Sequence, residues 1–325
     1  MRKIGIEMGS APPALQLHAP PYIDDVWKHV VQDLMESGVA LLRLQATTQQ
    51  ENAASVETVP TNAFASSAAA LDLLGAANDP TTLCPVIADS TDSAHATGYH
   101  RAGSMSARYN AHREGFVFSD GHDITVVGCP NFATDCAALY NILHETADQV
   151  LAAVCRHLQL PGTWLQEQLG PTVNNSQWHV KRYVTTSSKA CTVECLLPTH
   201  KDPSLISIVV LHRPGIQEGA AGLQYAGEDQ IWMEVPWSGH PVAIVFTGSV
   251  LEHVTGGYIT ACRHRVVASA ELERMAATLF VRPTPNAVLS MPPSPVLAGR
   301  SVKCNLTFKQ WCTKTARNYE KAKGT

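Results

Sequence analysis

The sequence predicts a mixed α/β chain built on a double-sheet jelly roll, that is, a double-stranded β-helix. Two observations carry this expectation. After residue 175 the chain breaks into short apolar runs separated by turn residues, whereas before it the apolar positions recur mainly at helical spacing. Length and composition agree with it: 325 residues, 45% hydrophobic and 16% charged, can bury one large core or two modest ones.

The elements follow in order. Asp24 and Asp25 open a helix carrying Val26, Trp27, Val30, Val31, Leu34 and Met35, closed by Gly38. Residues 37–44 read as a buried strand. The Ala/Thr/Ser/Gln-rich stretch 46–69 reads as a loop leading into a short alanine-rich helix, and 76–98 as polar and turn-rich. From Asn131 to Leu158 the apolar residues Leu139, Leu143, Ala147, Val150, Leu151 and Val154 mark a long helix, stopped by Pro161-Gly162. This helix is expected to support the sheet, with His144 and His157 as packing or surface residues.

The expected strands beyond it are Trp178–Val184, Leu205–Leu211, Gly222–Tyr225, Ile231–Val235, Val242–Phe246, Ile259–Ser269 and Ala276–Arg282. Pro214-Gly215, Gly227-Glu228-Asp229, Ser238-Gly239 and Thr255-Gly256-Gly257 supply turns. A proline-rich crossing segment, 283–300, leads to a short helix over 306–322, basic at its end. The division expected is a mixed N-terminal region (1–130), the jelly roll with its support helix (131–283) and a C-terminal arm (284–325), forming one structural unit.

Charge and cysteine usage exclude several classes. Twenty-four basic against 28 acidic residues give a net charge of −4 without a basic block, which argues against nucleic acid or an anionic membrane as partner. No apolar stretch approaches the ~18–20 residues that span a bilayer. Arg2 and Lys3 are followed by no apolar run, so no signal peptide is expected and the cytosol is the expected compartment. Nine cysteines, with no Cys-x-x-Cys pair, read as free or buried thiols. Cys191 and Cys195 near His200 lack the further ligands a zinc site needs. A small-molecule substrate is the partner these exclusions favour, and composition is silent on oligomeric state.

One constellation carries chemistry. His200-Lys201-Asp202 and the later His264 offer two imidazoles and a carboxylate, a set that holds one face of a divalent iron and leaves the other open. In a strand, positions i and i+2 share a side, so His200 and Asp202 would converge at a strand entrance with Lys201 facing away. Taken alone, the His-x-Asp pair reads as ordinary loop polarity. Arg274, inside the apolar run to Val281, needs an anion, which a bound carboxylate would provide. His253 reads as a strand-end or turn residue, and His212 and His240 as polar exits from strands. Arg182 and Tyr183 read as core-edge or functional residues. Arg113, Arg317 and Asn318 are possible contacts to a polar or acidic substrate, or solvated surface.

The context of these residues resembles the isopenicillin N synthase-like family of iron(II)/2-oxoglutarate oxygenases. The resemblance runs through Thr199 to Leu205, Gly222 to Tyr225, Trp232 to Pro236, Ala243 to Gly248, Val254 to Tyr258, Arg263 to Val267 and Arg274 to Pro283. Val-Thr-Gly-Gly at 254–257, Arg182-Tyr183, Arg282-Pro283, Thr307 to Trp311 and Asn318-Tyr319 look most like the deacetoxycephalosporin C synthase branch. Gly98-Tyr99 and His112 to Phe116 are loosely similar to the family's N-terminal region.

The resemblance implies His200, Asp202 and His264 as ligands to iron(II), and Arg274 as anchor of the distal carboxylate of 2-oxoglutarate, with Tyr183 within reach of it. Oxygen would be consumed and succinate and CO2 released, with hydroxylation, desaturation, ring expansion or oxidative cyclisation of a small molecule of specialised metabolism. One position departs from the family: where a serine is usual, this chain has Ala276. The missing hydroxyl contact is worth roughly 0.5–1.5 kcal/mol, and Tyr183 or Thr278 could compensate. Two alternatives stay open: an oxidase of the same fold whose arginine holds substrate instead of 2-oxoglutarate, and a non-catalytic jelly-roll binding protein.

Overall fold

The computed structural model describes residues 17–18, 24–44, 58–85, 97–102, 112–119, 123–170, 176–183, 195–213, 219–227, 231–237, 242–267, 274–302 and 305–321. Among these, two sheets face each other and helices cover the outer face of the larger one. The strands are β1 (Leu17–His18), β2 (Val39–Arg43), β3 (Gly98–His100), β4 (Arg113–Phe118), β5 (Gln177–Tyr183), β6 (Cys195–His200), β7 (Ile206–His212), β8 (Gly219–Ala226), β9 (Trp232–Trp237), β10 (Val242–Thr247), β11 (Arg263–Val267) and β12 (Arg274–Val281). The large sheet runs β1-β2-β10-β7-β12-β5-β4-β3 and the small one β6-β11-β8-β9. All pairings are antiparallel except β1 with β2. This is the expected mixed α/β architecture with a double-stranded β-helix core.

Strand alternation divides the large sheet into two environments. On β7, Ile206, Ile208 and Val210 join the helical layer, while Val209 and Leu211 face the small sheet. On β12, Met275, Ala277, Leu279 and Val281 point to the helices and Ala276 points inward. Leu196, Leu197, Leu223, Tyr225, Val235 and Val266 from the small sheet close the inner core. Strands from both sides of residue 130 share the large sheet, since β2 pairs with β10 and β4 with β5.

The helices are α1 (Asp24–Glu36), α2 (Thr58–Ala76), α3 (Phe132–His157), α4 (Trp164–Leu169), α5 (Ser249–Val254) and α6 (Phe308–Lys321). The helices expected at 24–36, 131–158 and 306–322 are present. In α3, Phe132 packs on Phe116 and Phe118, and His144 is buried edge-on to Tyr140. His157 meets the Tyr258 hydroxyl at 3.1 Å.

Several expectations are corrected. The alanine-rich helix is not short: α2 begins at Thr58 and spans 19 residues, burying Pro60, Ala63, Phe64, Ser67, Ala70, Leu71 and Leu74. Its small residues give little contrast between faces, which hid the period, and proline is tolerated within its first turn. Strand β6 was not anticipated because Pro198 interrupts it; the proline is accommodated because β6 lies at the edge of its sheet. His253 belongs to α5 and not to a strand end or turn. The strand expected from Ile259 begins at Arg263. His212 closes β7 as expected and stacks on Phe64, while His240 lies outside the described residues. Seven cysteines are free thiols among the described residues, Cys195 included, and Cys191 lies outside them.

Phe132, fully buried at the start of α3, ties the helical layer to β4. Phe132→Ala is expected to cost about 3–5 kcal/mol in urea denaturation, with the folded far-ultraviolet spectrum retained.

Candidate active site

Antiparallel pairing builds the centre. His200 ends β6, His264 is the second residue of β11, and the two are direct register partners, with ring centroids 4.2 Å apart. Cross-strand partners project from the same face, so the pairing itself brings the imidazoles together. Asp202 sits in the loop just past β6, at a strand exit and not at the strand entrance expected from i, i+2 alternation. Its carboxylate oxygens lie 3.4 Å from His200 Nε2 and 3.6 Å from His264 Nε2. Lys201 turns outward to pair with Glu252 at 2.8 Å.

The loop is held by a segment that the sequence reading passed over. The backbone N–H groups of Ser249 and Val250, at the start of α5, donate to the carbonyls of Asp202 and Ser204, and Ser249 Oγ also donates to the Asp202 carbonyl at 2.8 Å. The N–H groups that a helix start leaves unpaired thus fasten the loop. Gly248 makes this approach possible, because a Cβ there would lie 2.0 Å from the Ser204 carbonyl oxygen. The Gly-Ser step after the apolar strand was the available signal.

Orientation and charge suit a metal. His200 Nδ1 lies 2.8 Å from the Pro198 carbonyl and His264 Nδ1 3.4 Å from that of Cys262. Engaging Nδ1 in this way directs Nε2 of each ring toward Asp202. Phe246 stacks on His264 with an interplanar angle of 4°. Burial, followed by the neighbouring His200, pushes His264 down to about 4, so its ring is neutral and available as a ligand near neutral pH. Burial alone would raise Asp202, but His264, His200 and a hydrogen bond from Ser207 hold its carboxyl below the usual range. One candidate ligand atom from each of the three residues lies within 4.8 Å of the other two. Two imidazole nitrogens, one ionised oxygen and the Nδ1 contacts fit the donor set of an octahedral iron(II) with open positions.

The remaining expected residues divide by strand face. Arg274 is fully buried at the start of β12, opposite Tyr183 in register, with its guanidinium 4.5 Å from the Tyr183 ring centroid. Burial lowers its pKa, opposed by Tyr183. Ala276 lies on the same inward face. Arg113 pairs in register with Tyr183 from the other side and so shares that face. Arg182 does not: it points to the helical layer and bridges Asp72 of α2 and Glu114 of β4, so the substrate contact expected of it is corrected to a structural tie. Arg317 and Asn318 fall on α6, and their side chains lie outside the described residues.

Comparisons place this site in context. Residues 176–283 match the model of the 2OG-Fe(II) oxygenase superfamily. A 2OG-Fe(II) oxygenase family protein from Caulobacter crescentus is similar over 94% of this chain and 99% of its own, at 17% identity and a TM-score of 0.68. The rice dioxygenase for auxin oxidation covers 94% and 96% at 15% identity and 0.68. A full-length Neurospora crassa protein in complex with alpha-KG and thymine covers 91% and 92% at 14% identity and 0.64. No curated protein sequence matches the chain. At these identities the structures speak for the fold. Among the described residues no helix is long and apolar enough to cross a membrane.

Replacing Gly248 with alanine forces the Asp202 loop away from α5. Iron(II) affinity is expected to fall roughly 10–100-fold with helix and strand content unchanged, measured by anaerobic titration beside circular dichroism.

Residues 176–283 thus match the 2OG-Fe(II) oxygenase superfamily and, with the His200–Asp202–His264 cluster on a double-stranded β-helix, mark an enzyme that works with iron(II), 2-oxoglutarate and oxygen.

Proposed function

We propose that the chain is an iron(II)- and 2-oxoglutarate-dependent dioxygenase that oxidises a small molecule of specialised metabolism, with His200, Asp202 and His264 as the metal ligands. The observation that carries this reading is the convergence of these three buried or half-buried side chains, each oriented by a neighbouring backbone or hydroxyl group. Resemblance to the deacetoxycephalosporin C synthase branch supports such a substrate class. The rice and Neurospora relatives, named for auxin and complexed with thymine, are in keeping with a small organic molecule. The net charge of −4 argues against nucleic acid.

Bound iron supplies the oxidising chemistry with oxygen and 2-oxoglutarate. The chain's residues do the rest. Asp202 and the two imidazoles would hold the ion through one carboxylate oxygen and two ring nitrogens, few enough ligands to leave room for exchangeable ones. Arg274, held against Tyr183, receives the distal carboxylate of 2-oxoglutarate in a two-pronged contact that lysine would not match. Ala276, in place of a serine, leaves that contact to the guanidinium and the Tyr183 hydroxyl. Leu197, Val209, Leu211, Ile244 and Phe246 line the space between the sheets and exclude water, so polar contacts formed there are strengthened. We also read 1–130, 131–283 and 284–325 as one structural unit.

Anaerobic addition of iron(II) and 2-oxoglutarate is expected to produce a metal-to-ligand charge-transfer band, and its absence would overturn this reading. Asp202→Ala should lose iron binding with the fold intact by circular dichroism. Arg274→Gln should retain iron but weaken 2-oxoglutarate by at least about tenfold in the same titration; unchanged affinity would move the anchor elsewhere.

A further inference from the structure

Lys181 is a buried lysine that the proposed chemistry leaves unused. It lies in the middle of β5, is 3% exposed, and its Nζ meets no hydrogen-bond partner among the described residues. A lysine almost never occupies such a position without a counter-charge. It shares the inward face of β5 with Tyr183, whereas Trp178, Val180 and Arg182 turn to the helices. Its amino group is therefore on the side of the sheet that carries Arg274.

Two groups could meet an anion there, and the geometry separates them. Lys181 is the register partner of Ala276 on β12 and of Gly115 on β4. Reaching over Ala276 would let it replace the missing serine hydroxyl at the co-substrate. The side chain leans the other way: a Cβ on Gly115 would come within 2.9 Å of Lys181 Cδ, so the stem lies across the bare backbone that Gly115 provides. The charge that acts on Lys181 is that of Arg113, two residues along β4, and Lys181 is not among the groups acting on Arg274. Arg113 and Lys181 thus form a second basic position on the β4 side of Tyr183, across that residue from the β12 side where Arg274 lies.

We infer that Lys181, flanked by Arg113, is a specificity-determining residue that binds a carboxylate of the primary substrate. The inference rests on the dioxygenase reading above, since it assigns Arg274 to 2-oxoglutarate and leaves Lys181 for the molecule being oxidised. A carboxylate there supplies the counter-charge that no described residue provides, and the bound acid is fixed at one end with its carbon skeleton between the sheets. Neutral analogues would leave the ammonium buried and unpaired, which gives discrimination far beyond that of shape alone.

The test uses full-length protein loaded anaerobically with iron(II) and 2-oxoglutarate, and a panel of aryl- and alkylacetates titrated beside the corresponding amides. Binding is read from perturbation of the charge-transfer band and from thermal shift. At least one acid is expected to bind ten times more tightly than its amide, with the gap lost in Lys181→Met and kept within a few-fold in Lys181→Arg. The absence of any preference for acids, or a gap that persists in Lys181→Met, overturns the inference. So does a Lys181→Met variant whose deficit is in 2-oxoglutarate affinity, which would place the ammonium at the co-substrate. Failure of the charge-transfer band in the unmodified protein would instead strike the dioxygenase reading. A second readout needs no ligand: the Tm of Lys181→Met should rise, because a buried amino group without a hydrogen-bond partner among the described residues is replaced by an apolar chain of similar length. A fall in Tm would show that Lys181 is paired within the fold, and would overturn the inference as well.

Discussion

Asp202 must keep its negative charge in a place where water cannot solvate it, and much of the surrounding structure follows from that requirement. A buried carboxylate is stable only when hydrogen bonds and nearby positive charge replace its hydration. Ser207 and the two imidazoles meet its oxygens from the sheets, and the start of α5 grips its backbone carbonyl from outside. The close contact at Gly248, the Lys201–Glu252 pair and the antiparallel match of β6 with β11 all hold this one group where it is. A metal ion would complete the compensation that the protein alone supplies in part.

The large sheet separates support from chemistry by alternation. One face is apolar and packed under α1, α2 and α3, and the other carries Tyr183, Lys181, Arg274 and Ala276. Adjacent residues on one strand therefore serve different purposes. Arg182 and Tyr183 are neighbours in sequence, yet the first clamps α2 and β4 while the second stacks on a buried guanidinium.

That division explains what could be read in advance. The strands around the site were legible because apolar alternation and turn residues mark them, and α1 and α3 because their apolar residues recur at helical spacing. The His-x-Asp pair was legible as chemistry, and Arg274 as a cation in an apolar run. What hid was carried by long-range pairing. Pro198 disguised β6, so the strand that delivers His200 went unread, and α2 was masked by small side chains similar on every face. Arg182 was misplaced because nothing local states which way a strand residue points; that depends on register with β4 and on Asp72, far away in the chain. Lys181 escaped notice for the same reason, its burial being a property of the assembled sheet.

The clamp that Arg182 makes between β5, β4 and α2 also bears on how such a protein can change over time. Because the outer side of β5 is fastened independently through Trp178, Val180 and Arg182, the inward positions of the same strand carry little of the packing under the helices. The side chain at 181, whose Nζ meets no hydrogen-bond partner among the described residues, can be exchanged while the chemical character of the inner wall is rewritten. Rigid attachment on one side of the strand thus gives evolutionary freedom on the other, and allows one metal centre to be fitted to many substrates.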